Sequence, residues 1–154
     1  MGAGAVCGTG SGPDRDGGRT GRSACGDFRP GDEATARAVT ARLDRGRTHD
    51  FTGQLDLLET GACLSRAALF VGNDSGLMHM AAAAGAPTLG LFGPTDERVY
   101  GPWGRRTASV RAGEQVDERT RDKVKSSRTS LLADLELAPV LAAADNLIKA
   151  ETTP

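Results

Sequence analysis

The sequence is poor in aromatic side chains and has no long apolar run. Aromatic residues make up 4% of its 154 positions, so a core must be built from Leu, Val and Ala. No apolar run approaches the ~20 residues that a membrane-spanning helix needs, and the N-terminus has no apolar segment typical of a secretory signal. We therefore expect a cytoplasmic protein.

An excess of one charge is also lacking. The formal net charge is -1, whereas a general nucleic-acid binder normally carries a basic excess. Charged residues are 25% of the chain, which is an ordinary share for a folded protein. We therefore expect a folded chain without a nucleic-acid partner.

Cysteine is scarce and scattered. Cys7, Cys25 and Cys63 are widely spaced and form no CxxC motif. An odd, scattered set is a poor disulfide framework and a poor zinc site. We interpret the three residues as free thiols in a reducing compartment.

Residues 1–29 are rich in glycine and lack apolar periodicity. Such a composition buries too little surface to offset the entropy lost on ordering. A glycine-rich phosphate loop is the alternative, but no strand signal precedes it, and neither GxGxxG nor GxxxxGK[ST] is present. We therefore predict a disordered or unrelated leader over 1–29, a folded domain over 30–150 and a tail over 151–154.

The stretch Ala67–Pro94 organises the rest of the chain. An apolar run over 67–71 stops at the polar loop GNDSG, and a small-residue helical stretch follows. A second apolar run over 88–92 then stops at Gly93. This order of strand, loop, helix and strand is typical of a βαβ unit in a parallel sheet, so the sequence predicts an α/β fold.

Weaker patterns flank this unit. The sequence predicts a helix opening at 31–33, a strand over 48–52, a helix over 55–66, a strand over 107–111 and a closing helix with Pro139 in its first turn. The predicted buried faces are Ala34, Ala38, Val39 and Leu43 in the first helix, Leu55, Leu58, Ala62 and Cys63 in the second, and Val140, Ala143, Ala144 and Leu147 in the last. The polar segment 113–129 is interpreted as a solvated surface segment because its acids balance its bases.

The loop inside the βαβ unit is suited to an anion. Asp74 or Ser75 would cap the following helix, so that backbone N–H groups at Gly76 point into the loop. A helix N-terminus combines unpaired donors with a positive dipole end and binds phosphate readily. His79 follows in or just after the first turn. Because the LFGPT loop lies at the same predicted edge, we predict a phosphate- or sugar-nucleotide-binding site there.

Two other interpretations of these residues are open. A capping aspartate alone can be purely structural, and Asp74, Ser75 and His79 together suggest a hydrolase. However, a GxSxG nucleophile elbow is absent because Asn73 stands at the first glycine position. His79, four residues after Ser75 on one short helix, is also poorly placed to act as its base. The combination of GNDSGxxH with LFGPT therefore favours ligand binding.

The segment VGNDSGLMHMAAAAGAPTLGLFGPTDERVYGPWG closely resembles the C-terminal domain of glycosyltransferase family 9, the ADP-heptose:lipopolysaccharide heptosyltransferases. The matching pattern is a strand, (N/V)D(S/T)GxxH, an Ala-rich helix and a second strand ending in (L/F/Y)FGPTD. The resemblance extends weakly to GDEATARAVTARL and FTGQLDLLE upstream and to TSLLADLELAPVLAAADNLI downstream. It covers most of residues 30–149.

The resemblance implies the C-terminal half of a GT-B fold, here a partial Rossmann-like parallel sheet. In that family two Rossmann-like domains face each other, the C-terminal one holding the ADP-sugar donor and the N-terminal one the lipopolysaccharide core acceptor. The resemblance places Asp74 on the donor sugar, Ser75 and Gly76 on the diphosphate and sugar, and His79 beside them. It also places Asp32 or Glu33 on the adenosine ribose and Leu55 against the adenine.

The sequence departs from the family in what it lacks. The acceptor domain, with the aspartate expected as general base, has no counterpart, and neither has the phosphate-contacting Lys/Arg segment of the first βα unit. Because orienting donor and acceptor together supplies much of the rate, we expect this chain alone to be inactive, and any membrane contact to lie in the missing domain. Outside the predicted leader, where Asp14 and Asp16 form a DxD, no such cluster is present, so we expect neither a metal nor a cofactor. The alternative is an inactive fragment or a nucleotide-binding module.

Overall fold

The computed structural model describes residues 5–9, 22–26, 33–42, 48–113, 132 and 134–150. Predictions for the tail over 151–154 and for the polar segment beyond residue 113 lie outside the described residues. Within these ranges the strands are β1 (Ala5–Thr9), β2 (Arg22–Gly26), β3 (Thr48–Asp50), β4 (Leu69–Asn73), β5 (Thr88–Phe92) and β6 (Thr107–Arg111). The helices are α1 (Glu33–Thr40), α2 (Leu57–Leu64), α3 (Gly76–Ala83), α4 (Glu97–Tyr100) and α5 (Leu137–Lys149).

The six strands form one sheet in the order β3-β2-β1-β4-β5-β6. β4, β5 and β6 run parallel, as do β2 and β3, whereas β1 is antiparallel to both of its neighbours. The predicted α/β class is confirmed, but β1 makes the sheet mixed rather than wholly parallel. The carboxyl ends of the other five strands therefore share one edge of the sheet.

Two of these strands lie in the region predicted to be an unstructured leader. β1 occupies the centre of the sheet and pairs Val6 with Val71 and Gly8 with Leu69, and β2 pairs with β1 along its full length. The prediction of disorder is therefore wrong for these two segments, while the remaining positions of 1–29 lie outside the described residues. Composition misled here because strand pairing satisfies backbone N–H and C=O groups whatever the bulk of the side chains.

The core lies between the β4–β5 pair and the helices α2 and α3. Phe70, Leu89, Phe92 and Met78 are fully buried, so the expectation of a core built from Leu, Val and Ala is wrong. Each of the four contributes about 1.5–3 kcal/mol through removal of its side chain from water. Gly90 allows α3 to approach β5, because a Cβ atom at this position would lie 2.7 Å from both Met78 Sδ and Phe92 Cε2. α3 therefore packs closely on β5 at this position.

The buried face of α1 differs from the predicted one. Ala36 is 1% exposed, whereas Ala34 and Ala38 are exposed and Val39 is half-buried. Leu43 lies outside the described residues. Every apolar residue in the helix except Val39 is alanine. The apolar side chains therefore differ too little in size for the sequence pattern to predict which face is buried.

The buried face of α2 was also predicted incorrectly. Thr60 and Leu64 are buried, while Leu58 is 83% exposed, Ala62 is exposed and Cys63 is half-buried. Thr60 is tolerated in the core because its Oγ1 donates to the Asp56 carbonyl at 2.6 Å. A periodicity rule that counts threonine as polar therefore selected the wrong side of the helix.

The remaining elements agree more closely with the prediction. β5 and β6 have the predicted bounds, and α5 buries Leu147 with Val140, Ala143 and Ala144 half-buried. β3 is shorter than predicted, and no helix was predicted where α4 lies. No helix in the described part of the chain is long and apolar enough to cross a membrane.

Candidate functional site

Two loops leave neighbouring strands at the carboxyl edge of the sheet. The β4 loop is residues 74 and 75, between β4 and α3, and the β5 loop is residues 93–96, between β5 and α4. The backbone N–H of Asp74 donates to the carbonyl of Leu91 at 3.3 Å. Because Leu91 lies two residues before the β5 loop, this bond holds the two loops side by side.

The N-terminus of α3 opens directly from the β4 loop. Ser75 is the N-cap residue but makes no side-chain capping bond, and its carbonyl accepts from the N–H groups of Met78 at 3.1 Å and His79 at 3.4 Å. The N–H groups of Gly76 and Leu77 belong to the first turn, which a helix leaves without internal acceptors. The predicted position of the cap is confirmed, but a capping side-chain bond from Ser75 is not formed.

The space in front of this helix end is open. Gly76 is exposed, and a Cβ atom built there would meet no heavy atom within 4 Å. An anion can therefore approach the backbone closely, where the unpaired N–H groups and the positive end of the helix dipole act together.

The neighbouring helices α2 and α4 are capped by their own side chains. Asp56 accepts from the N–H groups of Leu58 and Glu59 at 2.8 Å each, and Glu59 accepts from the Asp56 N–H at 2.9 Å. Asp96 accepts from the N–H of Arg98 at 3.0 Å. The hydrogen bond from the Arg98 guanidinium also lowers the pKa of Asp96 to about 2. Of these three helix starts, only that of α3 lacks a side-chain acceptor.

The β5 loop is fixed from the end of β6 by Arg111. Its Nη1 donates to the Gly93 carbonyl at 2.7 Å and its Nη2 to the Thr95 carbonyl at 2.7 Å. Nη2 also forms an ion pair with the Glu97 carboxylate. The Arg111 side chain is only 14% exposed. Sequence reasoning missed this residue because its partners lie 14 to 18 positions away, and only its place at a strand's carboxyl end signals a role at this edge.

The structure brings one group of predicted residues together. Asp74 and Ser75 are half-buried in the β4 loop, and Gly76 and His79 are exposed at the start of α3. All four lie within one strand-to-helix turn, as the motif indicated. Within the described residues no cluster of His, Cys, Asp and Glu side chains is suited to a metal ion, and the expected absence of a metal from the whole chain stays a prediction.

The other predicted residues belong to the opposite half of the same edge. Glu33 is the exposed first residue of α1, which follows β2, and Leu55 is half-buried in the loop after β3. Asp32 lies outside the described residues. Since two strands separate β3 from β4, the ends of these strands lie roughly 14 Å apart at ~4.8 Å per strand spacing. Leu55 follows β3 by five residues, in a loop whose Phe51 packs against the core cluster that contains Phe70.

A cavity of about 310 Å³ lies elsewhere, against α1 and β3. Arg37, Thr40, Ala41, Thr48 and Asp50 line it. None of them is a predicted site residue. The Asp50 carboxylate accepts two hydrogen bonds from Thr52, one from the backbone N–H of Thr52 at 3.0 Å and one from Oγ1 of Thr52 at 2.6 Å. The starts of α3 and α5 both lack a side-chain cap. We place the candidate site at the β4 loop because only the start of α3 coincides with the predicted GNDSGxxH motif.

Comparison with known proteins gives consistent matches. The family model for glycosyltransferase family 9 (heptosyltransferase) matches residues 25–130. Lipopolysaccharide heptosyltransferase 3 of Escherichia coli is 36% identical over 101 residues, which are 66% of this chain and 29% of the relative. Lipooligosaccharide heptosyltransferase 2 of Haemophilus influenzae is 33% identical over 85 residues, 54% of this chain and 25% of the relative. The chain thus spans less than a third of these curated relatives.

Solved structures show the same fold. A family 9 glycosyl transferase from Veillonella parvula superposes with a TM-score of 0.68 at 23% identity, covering 81% of this chain and 35% of that one. The ADP-heptose lps heptosyltransferase II of E. coli gives a TM-score of 0.62 at 23% identity, covering 83% and 37%. The E. coli heptosyltransferase WaaC with ADP gives 0.58 at 20% identity, covering 78% and 32%.

Proposed function

The chain belongs to glycosyltransferase family 9, and we propose that it is the donor-binding half of a GT-B heptosyltransferase whose α3 N-terminus receives the diphosphate of ADP-heptose. The whole enzyme would transfer heptose from this donor to the lipopolysaccharide inner core. The observation that carries the proposal is the helix start beside Asp74, which has open N–H donors where α2 and α4 have side-chain caps.

The proposed roles follow from the chemistry of each group. The N–H groups of Gly76 and Leu77 donate to phosphate oxygens, and the imidazole of His79 lies within the same turn. The carboxylate of Asp74 accepts hydrogen bonds from sugar hydroxyls. Leu55 supplies an apolar contact for the adenine. Either Glu33 or Asp32 accepts from the ribose.

This arrangement would assist departure of the nucleotide. Transfer breaks the bond between the sugar's anomeric carbon and the β-phosphate oxygen, and negative charge grows on the diphosphate as the bond breaks. Donors already aimed at that charge stabilise the transition state more than the ground state. Helix donors do this without a metal, and a metal-free donor site is part of the proposal.

The acceptor is outside the reach of these residues. The chain spans 25–29% of the curated relatives named above, and a base for the acceptor hydroxyl is not among the residues assigned here. We propose that this chain binds the donor, in the cytoplasm, but transfers no heptose alone. If the purified chain transferred heptose to a heptose-deficient lipopolysaccharide acceptor, this part of the proposal would be contradicted. The same result would contradict the alternative that the chain is an inactive nucleotide-binding module.

Calorimetric titration of the purified chain with ADP and with ADP-heptose tests the donor site. We expect saturable binding of both ligands. The sharpest variant is Gly76→Pro, because proline is well accepted at the first position of a helix and removes only one N–H donor. Ser75 already has the extended conformation that a following proline requires (φ −159°, ψ 165°). Loss of one hydrogen bond to a charged phosphate should weaken ADP binding about tenfold or more.

Leu137→Pro is the matched control. Leu137 is the first residue of α5, is 68% exposed and follows an extended N-cap residue, so the substitution is equally compatible with helix formation there. It should leave ADP binding unchanged. A folded wild-type chain that gives no saturable heat would overturn the donor site, and equal ADP affinity in Gly76→Pro and wild type would overturn the role of the α3 N-terminus.

A further inference from the structure

We infer that Arg111 is a positioning residue that makes the β5 loop compatible with a bound anion. This inference rests on the proposed function, since the anion is the donor diphosphate. The Arg111 guanidinium binds two carbonyl oxygens of the β5 loop and one carboxylate next to it, on the side of the loop away from the β4 loop.

The direction follows from the order of the strands. β5 lies between β4 and β6, and Arg111 is the last residue of β6. The Gly93 and Thr95 carbonyls both accept hydrogen bonds from its guanidinium at 2.7 Å. Both oxygens are therefore turned toward the β6 side, away from the site beside β4.

The same contacts determine where the N–H groups of the loop point. The chain contains no cis peptide bond among its described residues, and a trans peptide carries its C=O and N–H on opposite sides. With the Thr95 carbonyl directed to Arg111, the Asp96 N–H of that peptide points away from β6. The Gly93 peptide offers no N–H because Pro94 follows it, so on the side away from β6 the loop presents the Asp96 N–H and neither of these two carbonyl oxygens.

Charge adds to this effect. Glu97 begins α4 directly after the β5 loop, and its carboxylate pairs with Arg111. Both side chains are largely shielded from solvent, at 14% exposed for Arg111 and 31% for Glu97, so screening by water is incomplete. Without Arg111, a carboxylate and two carbonyl oxygens would be uncompensated next to a site for a diphosphate.

A purely structural role for Arg111 predicts something different. If Arg111 only stabilised the fold, its removal would weaken all ligands of the site to the same degree. If it compensates negative groups, its removal weakens a ligand in proportion to the ligand's negative charge. The ratio of the affinities for ADP and for uncharged adenosine therefore separates the two roles.

The test is titration of the full chain and its variants with ADP and with adenosine. In Arg111→Met we expect ADP to bind about tenfold more weakly and adenosine less than threefold more weakly. Adding Glu97→Gln to Arg111→Met should recover at least threefold of the lost ADP affinity, because the unpaired carboxylate is then removed. Arg66→Met is the matched control, since it removes an exposed arginine that lies between α2 and β4, before β4 begins and outside both loops; its affinity ratio should equal that of wild type.

The outcomes distinguish this inference from the proposed function. A wild-type chain that binds ADP, with equal losses for ADP and adenosine in Arg111→Met or with no loss for either, overturns the role of Arg111 alone. A folded wild-type chain that binds no ADP overturns the proposed function and this inference with it. Should Arg111→Met not fold, Arg111→Lys decides, because lysine keeps the charge but cannot reach both carbonyls. We expect it to lower ADP affinity about threefold and adenosine affinity less, and equal losses would again overturn the inference.

Discussion

The β4 loop and the β5 loop lie side by side, yet their polar groups find partners in opposite ways. In the β4 loop, Ser75 caps α3 without a side-chain bond, and a Cβ atom at Gly76, the first residue of the helix, would meet no heavy atom within 4 Å. In the β5 loop, Asp96 caps α4, and Arg111 occupies the carbonyls of Gly93 and Thr95. One loop keeps its donors for a ligand, whereas the other is bound by the protein itself.

This difference shows how one edge of the sheet can hold the β5 loop rigidly and still leave donors of the β4 loop free to bind a ligand. A ligand-binding loop holds its residues in a better defined position when the neighbouring loop does not move. The hydrogen bond between Asp74 and Leu91 couples the positions of the two loops. Both loops also rest on the same buried side chains, since Met78 from α3 and Phe92 from β5 meet over Gly90. Three substitutions probe this comparison.

The largest effect is expected from Phe92→Ala, which removes the support shared by both loops. Phe92 is fully buried and directly precedes the β5 loop, so truncation should lower the free energy of unfolding by about 3–5 kcal/mol. Chemical denaturation followed by circular dichroism measures the loss. Leu58→Ala is the control, because Leu58 is 83% exposed and its truncation should change the free energy of unfolding by less than about 0.5 kcal/mol. Similar losses in both variants would show that the two loops do not share this core.

A smaller and more specific effect is expected from Asp74→Asn in the β4 loop. The exchange keeps the size of the side chain but removes the charge that strengthens hydrogen bonds to sugar hydroxyls. Affinity for ADP-heptose should fall about tenfold, whereas affinity for ADP, which lacks the sugar, should change less than twofold. Titration with both ligands gives the comparison.

Asp145→Asn makes the same chemical change at an exposed position of α5 and should alter neither affinity. If Asp74→Asn instead weakens ADP and ADP-heptose equally, the carboxylate does not contact the sugar. If it lowers the unfolding free energy without changing either affinity, the Asp74 carboxylate is structural, which is one of the interpretations that the sequence left open.

The contrast between the loops also explains what the sequence could predict. The β4 loop is encoded locally: GNDSGxxH lies within one strand-to-helix turn, so its residues are neighbours in the fold because they are neighbours in the chain. The bounds of β5 were predictable for the same reason, since its compact apolar run ends at Gly93. Residue spacing and local capping rules were sufficient there.

The β5 loop depends on contacts that sequence patterns do not show. Arg111 reaches Gly93 across 18 positions, and that pairing exists only because β5 and β6 are adjacent. β1 and β2 were missed because their pairing partners, rather than their own side chains, make them strands. Thr60 was assigned to the wrong side of α2 because its hydroxyl is satisfied by a carbonyl four residues earlier. Each failure concerns a partner supplied by the tertiary structure.

The smallest effect is expected from pH, and it distinguishes the capped helix start from the open one. The Arg98 guanidinium, through its hydrogen bond and charge, lowers the pKa of Asp96 from 3.8 to about 2. A carboxyl group whose pKa is lowered by folding stabilises the folded state above its unfolded pKa, so this contribution is complete above pH 3.8 and is lost as pH falls through about 2. The difference in unfolding temperature between wild type and Asp96→Asn should therefore shrink as the pH falls from 3.8 to about 2. Carboxyl NMR of Asp96 should show its pKa returning toward 3.8 in Arg98→Met. An unchanged pKa in that variant would show that the α4 cap does not depend on Arg98, leaving Arg111 as the contact that fixes the β5 loop.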